Sequence, residues 1–108
     1  MRILGTVVEE GSGKPLAGLQ VRAFDKDLVF HDKLGVAVTD AAGSFRIEYS
    51  QVDFSSIFGT ETVPDLFIRV YDASGKKLLY TSEKAIRKNP QVEERFDITI
   101  PKAKLGKA

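Results

Sequence analysis

The stretch GVAVTDAAGSFRIEY, residues 35–49, decides the fold of this chain. Val36 and Val38 alternate with Ala37 and Thr39, and Phe45, Ile47 and Tyr49 alternate with Ser44, Arg46 and Glu48. Successive side chains of a β-strand point to opposite faces, so this pattern predicts two half-buried strands. Asp40-Ala41-Ala42-Gly43 lies between them and has turn chemistry. Asp40 is suited to accept hydrogen bonds from the turn amides, and Gly43 takes a positive φ without a Cβ clash. The expectation is a β-hairpin closed by a type I turn with Gly43 as the bulge residue.

Outward from this stretch the same pattern recurs. Residues 3–9 (ILGTVVE) and 19–25 (LQVRAFD) read as strands, separated by the turn-rich EGSGKP of residues 10–15. Residues 26–33 are a polar loop. Residues 50–58 (SQVDFSSIF) break the alternation and predict one short helix or helical turn, with Ser50 and Asp53 in capping positions. Pro64 precedes DLFIRVY, residues 65–71, whose Leu66, Ile68 and Val70 face inward. The turn DASG, residues 72–75, repeats the chemistry of residues 40–43. Strands at 76–81 and 94–100 follow, the latter with Phe96, Ile98 and Ile100 inward. These elements predict an all-β fold, a seven-stranded antiparallel Greek-key β-sandwich over residues 1–101. Its expected core is Val7, Val21, Val36, Val38, Phe45, Ile47, Leu66, Ile68, Val70, Phe96 and Ile98. The basic residues 102–108 (KAKLGKA) are expected as a flexible tail.

Composition narrows the function. The chain has 108 residues, enough for one domain with its own core. Its 16 basic and 15 acidic residues leave a net charge of +1, which argues against a dedicated nucleic-acid binder. With no cysteine there is neither a disulfide nor a zinc–thiolate site. No apolar run reaches the ~20 residues of a membrane span. Met1-Arg2 leads into a strand without a signal-peptide core, so the expectation is either a mature or excised domain or a chain not exported by that route.

The residue order GTVVEEGSGKPLAGLQVRAFD, GVAVTDAAGSFRIEY and PDLFIRVYDASGKKL resembles the transthyretin-like domains related to the carboxypeptidase regulatory domain. The resemblance runs from Ile3 to Ile100 and rests on Gly5, Pro15-Leu16-Ala17-Gly18, Val21, Thr39-Asp40, Gly43 and Phe45. It implies a prealbumin-like sandwich serving as an accessory or interaction unit, of the kind found in large secreted bacterial proteins. Two enzymatic branches near this fold lack support. Hydroxyisourate hydrolases carry several histidines and a tyrosine-rich C-terminal tetrapeptide, whereas this chain has only His31 and ends LGKA. The intradiol dioxygenases bind iron through two tyrosines and two histidines, which one histidine does not satisfy.

Candidate sites are few. His31 lies on a polar loop, where a solvated surface role is the plain reading, although His is the usual acid–base and metal residue. Gly11-Ser12-Gly13-Lys14 has Pro15 where a phosphate loop needs Ser or Thr. Asp25, Asp27, Asp32 and Asp40 are the one acidic grouping, and hard oxygen ligands on loops at one end of a sandwich suit calcium. The plainer reading has Asp25 and Asp40 capping turns, with Lys26 and Lys33 balancing Asp27 and Asp32. Phe67 and Tyr71 share the Arg69 side of their strand, opposite its core face. Either residues 50–58 cover them or they form a protein-binding patch.

These readings favour a non-enzymatic structural or protein-interaction module that binds no cofactor except, on the acidic-loop reading, calcium. The alternative is a small hydrolase or ligand-binding protein with a pocket at the loop end. A protein partner is expected. Charged outward residues Arg95 and Asp97 and the pair Lys76-Lys77 discourage edge pairing and favour a monomer.

Overall fold

The computed structural model describes residues 1–26, 32–49, 65–88 and 92–105, with Asp32 described through its backbone. The helix expected at residues 50–58 lies outside the described residues. The described strands are β1 (Arg2–Glu9), β2 (Gln20–Asp25), β3 (Asp32–Val38), β4 (Ser44–Glu48), β5 (Asp65–Tyr71), β6 (Leu78–Thr81), β7 (Arg87–Lys88) and β8 (Glu93–Ile100). A single 3-10 turn, Glu83–Ala85, joins β6 to β7, and a short helix α1 (Lys102–Leu105) follows β8.

Two sheets face each other. One is three-stranded in the order β4-β1-β8; the other is five-stranded in the order β3-β2-β5-β6, with β7 also paired to β5. The inward residues of both make one core. Ile3, Val7, Phe45, Ile47, Phe96, Ile98 and Ile100 come from the first sheet, and Val21, Ala23, Leu66, Ile68, Val70 and Leu79 from the second. Burying an aliphatic side chain of this size contributes about 1.5–3 kcal/mol, so these rows dominate the stability. The all-β sandwich is the architecture that the alternation predicted.

Four details differ from the sequence expectation. First, the strands flanking residues 40–43 do not pair. The turn itself is a hairpin turn, with Asp40 N–H to Ser44 O at 2.9 Å and Gly43 N–H to Asp40 O at 2.8 Å. Beyond it, β3 pairs with β2 while β4 pairs with β1. The hairpin is a corner that carries the chain from one sheet to the other.

Second, Val36 and Val38 are not core residues; they are 55% and 61% exposed. The register sets Ala37 opposite Val21 and Gly35 opposite Ala23, so the small residues of β3 face inward. A Cβ at Gly35 would stand 2.7 Å from Ile47 Cγ2, which shows how closely the sheets approach beside the corner. Alternation is symmetric between faces, and the close approach selects the smaller row.

Third, β1 pairs with β8 in parallel, Gly5 opposite Phe96. The chain reaches β8 only after traversing the second sheet, and an in–out pattern is the same in either direction. The two-residue β7 adds a strand to the seven expected. A Cβ on Gly5 would meet the Phe96 carbonyl oxygen at 1.8 Å, so glycine there allows this pairing. Fourth, Lys102–Leu105, within the stretch expected as a tail, form α1, and Leu105 packs against the core.

Thr39 fixes the corner. It is 4% exposed, and its hydroxyl donates to Leu16 O at 2.7 Å and accepts from Leu19 N–H at 3.0 Å. Its backbone bonds Leu19 O and Gly18 N–H. The link before β2 and the end of β3 are thereby tied together. Thr39→Val leaves two buried backbone groups without that hydroxyl and is expected to lose about 2 kcal/mol, read from urea unfolding. Thr39→Ser keeps the hydroxyl and should avoid most of that loss.

Candidate functional site: an arginine–tyrosine face

The outer face of the five-stranded sheet is built by the alternate residues of its strands. β2 contributes Gln20, Arg22 and Phe24, and β5 contributes Phe67, Arg69 and Tyr71, with Gln20 opposite Tyr71 and Phe24 opposite Phe67. β3 adds Val36 beside Arg22 and Val38 beside Gln20, and β6 adds Leu78 beside Tyr71.

One end of this face is closed. Phe24 and Phe67 are buried and stack with ring centroids 5.2 Å apart. The Arg69 guanidinium lies 5.1 Å from the Phe24 ring and 5.4 Å from that of Phe67, and bonds Glu83 Oε1 at 2.9 Å. Burial opposes its charge, but Glu83 and Tyr71 outweigh that and hold its pKa above the ordinary value. The charge of this arginine is paired within the chain.

The other end is open. Val38 and Leu78, the latter 40% exposed, flank Gln20 and Tyr71. The Arg22 guanidinium stacks 4.0 Å over the Tyr71 ring. Its Nη2 donates to Gln20 Oε1 at 2.8 Å and to Gly75 O at 3.2 Å. Gln20 in turn donates to Ala73 O at 3.3 Å. Gly75, at φ +78°, leaves the room for this: a Cβ there would lie 2.8 Å from Arg22 Nη2. Stacking and hydrogen bonding together hold the arginine in one pose.

The adjacent turn keeps its own acid occupied. Asp72 Oδ1 accepts from Ser74 Oγ at 2.6 Å and from Lys77 N–H at 3.4 Å. The Ser74 hydroxyl pulls the Asp72 carboxyl below its ordinary value; partial burial opposes this, and the amides of Lys77, Lys76 and Gly75 add to it.

The sequence-derived acidic grouping does not converge as a whole. Asp25 and Asp32 are in register across β2 and β3, and Asp25 Oδ1 accepts from Asp65 N–H at 2.9 Å. Asp40 follows the opposite end of β3, roughly 20 Å away at the strand rise per residue. Its Oδ1 accepts from the amides of Ala42 and Ser44, both at 2.9 Å, so Asp40 serves the turn and does not join Asp25. Asp27 and His31 lie outside the described residues. Among the described residues no three His, Cys, Asp or Glu side chains gather in a way that would hold a metal ion. A shallow cleft of about 260 Å³ opens beside the corner, lined by Ala37, Val38, Asp40, Ser44, Phe45 and Arg46.

Sequence reading singled out Tyr71 but passed over Arg22, Leu78 and the outward valines. The signal was available in part: Arg22 alternates with inward Val21 and Ala23. Its neighbours across the sheet were hidden until the register was known.

Comparison with known proteins gives the fold and little else. No family model matches the chain, and no curated protein does. Among solved structures, a 9R-lipoxygenase from Cyanothece PCC8801 aligns with 26% identity and a TM-score of 0.62, over 93% of this chain and 16% of that one. This chain therefore spans about a sixth of the lipoxygenase. An alternative pilotin from the type II secretion system of Vibrio cholerae aligns with 14% identity and a TM-score of 0.52, over 94% of this chain and 95% of that one. Transthyretin from Sparus aurata aligns with 13% identity and a TM-score of 0.42, over 63% of this chain and 53% of that one. Among the described residues no helix is long and apolar enough to cross a membrane.

Two expectations test this geometry. Gly75→Ala places a Cβ against Arg22 in a left-handed conformation and should cost ~1–2 kcal/mol in thermal or urea unfolding. For Asp72, whose folded pKa is depressed, the stabilisation is present above the ordinary carboxylate value and lost as pH falls through the lower folded value. The wild type should therefore melt above Asp72→Asn at neutral pH, with the difference closing below pH 3.8, the ordinary value.

Proposed function

We propose that this chain is a non-enzymatic protein-interaction module of the transthyretin-like, carboxypeptidase regulatory-like kind, accessory to a larger assembly and acting through the open end of the outer sheet face. The observation that carries this is the set Val36, Val38 and Leu78, exposed at 55%, 61% and 40%, around the stacked Arg22–Tyr71 pair. Tyrosine and arginine amid aliphatic surface is the composition in which interface hot spots concentrate. The lipoxygenase alignment supports a modular use, because there a comparable sandwich occupies 16% of a longer chain.

The test is site-specific photo-crosslinking in the source organism. A benzoylphenylalanine at Val38 should give a discrete crosslink to another polypeptide, and the same group at Thr99, exposed on the other sheet, should not. Val36→Asp should remove the Val38 crosslink. Equal crosslinking from both positions would overturn the proposal. So would turnover by the purified chain across an esterase, phosphatase and isourate panel.

A further inference from the structure

Resting on that reading of the outer face, we propose that its partner is a protein segment carrying an aspartate or glutamate side chain among aliphatic residues, and that Arg22 is the group that receives this carboxylate.

The charge arrangement points there. Arg2, Arg46, Arg69, Arg87 and Arg95 each lie within 3.5 Å of a carboxylate oxygen of this chain. Arg22 is the exception: among the described residues its hydrogen bonds go to an amide side chain and a backbone carbonyl. Of the five N–H donors of a guanidinium, the two on Nη2 are used, and among the described residues those on Nε and Nη1 make no hydrogen bond.

Asp72 and Asp40 do not fill this role. Asp72 is taken up by Ser74 and Lys77, and Asp40 by Ala42 and Ser44. Lys76 and Lys77 follow Gly75 in the chain and are exposed, without ion pairs among the described residues. The chain as a whole is nearly neutral at +1, so this cationic end is a local feature.

The pose of Arg22 matters as much as its charge. Tyr71 beneath it and Gln20 and Gly75 beside it fix the side chain before any partner arrives. Binding then does not spend the rotamer entropy that a free arginine loses. Val36 and Val38 on one side and Leu78 on the other supply apolar contacts that exclude water around the ion pair, where a charge-assisted bond is strongest. An acid without apolar neighbours would leave the valines wet, and an apolar segment without an acid would leave the guanidinium desolvated and unpaired.

The experiment pans a random-peptide phage library against the wild-type protein. Enriched peptides are then measured by fluorescence polarisation on the wild type, Arg22→Gln and Val38→Asp, with circular dichroism melts to show that both variants are folded. Enriched sequences should carry Asp or Glu next to Leu, Ile, Val or Phe. Arg22→Gln should weaken them about tenfold or more, the range for a hydrogen bond to a charged group. Replacing the peptide acid by its amide should cost the wild type the same factor and cost Arg22→Gln nothing further.

Enriched peptides that lack an acid, yet are lost with Val38→Asp, would overturn the carboxylate assignment while leaving the face a protein-interaction surface. No enrichment, or binding insensitive to both variants, would overturn both. Self-association in sedimentation that Val38→Asp abolishes would overturn the inference in favour of a second copy as occupant.

Discussion

The architecture depends on a corner. Five residues, from Thr39 to Gly43, must end a strand in one sheet and begin a strand in the other. Asp40 does this by accepting two turn amides on one carboxylate oxygen. Gly43 does it at φ +73°, with its α-carbon so close to the backbone of Val7 that a Cβ would stand 2.6 Å from that carbonyl oxygen. Thr39 buries a hydroxyl and satisfies it against the link that precedes β2. A buried polar group is costly unless paired, and here the pairing joins segments over twenty residues apart in the chain.

That corner sets what each face of β3 does. Where the sheets converge, only Gly35 and Ala37 fit inside, so the larger Val36 and Val38 are turned out. The outward valines then lie beside Arg22 and Gln20 of β2. The exposed apolar surface of the candidate face is thus a consequence of how tightly the sandwich is closed at one edge. The same sheet handles its other end differently: Arg69 sits against Phe24 and Phe67 and is neutralised by Glu83. Two arginines in register, Arg22 and Arg69, occupy neighbouring positions on one face in different electrostatic states.

The sandwich joins two kinds of strand pairing. β1 is antiparallel to β4 and parallel to β8, and it needs a glycine at the point where β8 comes closest. On the far side, Arg87 lies 3.7 Å over the Phe96 ring and bonds Glu94 Oε1 at 2.7 Å, tying the short β7 to β8 across the edge of the sandwich. Such contacts fix the sheets without creating a chemically distinctive surface. The solved structures whose fold aligns with this chain include an enzyme and a secretion-system pilotin at low identity. A fold shared so widely leaves function to particular side chains.

Alternation by itself determined the strands, the two-sheet class and most of the core, because period-2 burial is a local property of an extended chain. Inward placement of Val21, Leu66, Ile68, Val70, Phe96 and Ile98 follows from it directly. Turn chemistry was equally local: the Asp40 and Asp72 carboxylates bond groups within five residues of themselves. Which strand pairs with which is not local. The corner at residues 39–43 has the sequence of a hairpin and the hydrogen bonds of one, yet its strands part into different sheets. Whether the valines or the Gly35 row of β3 face the core depends on how closely Ile47 of the opposite sheet approaches Gly35. The separation of Asp40 from Asp25 depends on the length of β3, and the absence of a carboxylate partner for Arg22 among the described residues depends on all its cross-strand neighbours at once. Those are distances through space between residues far apart along the chain, and only the tertiary structure sets them.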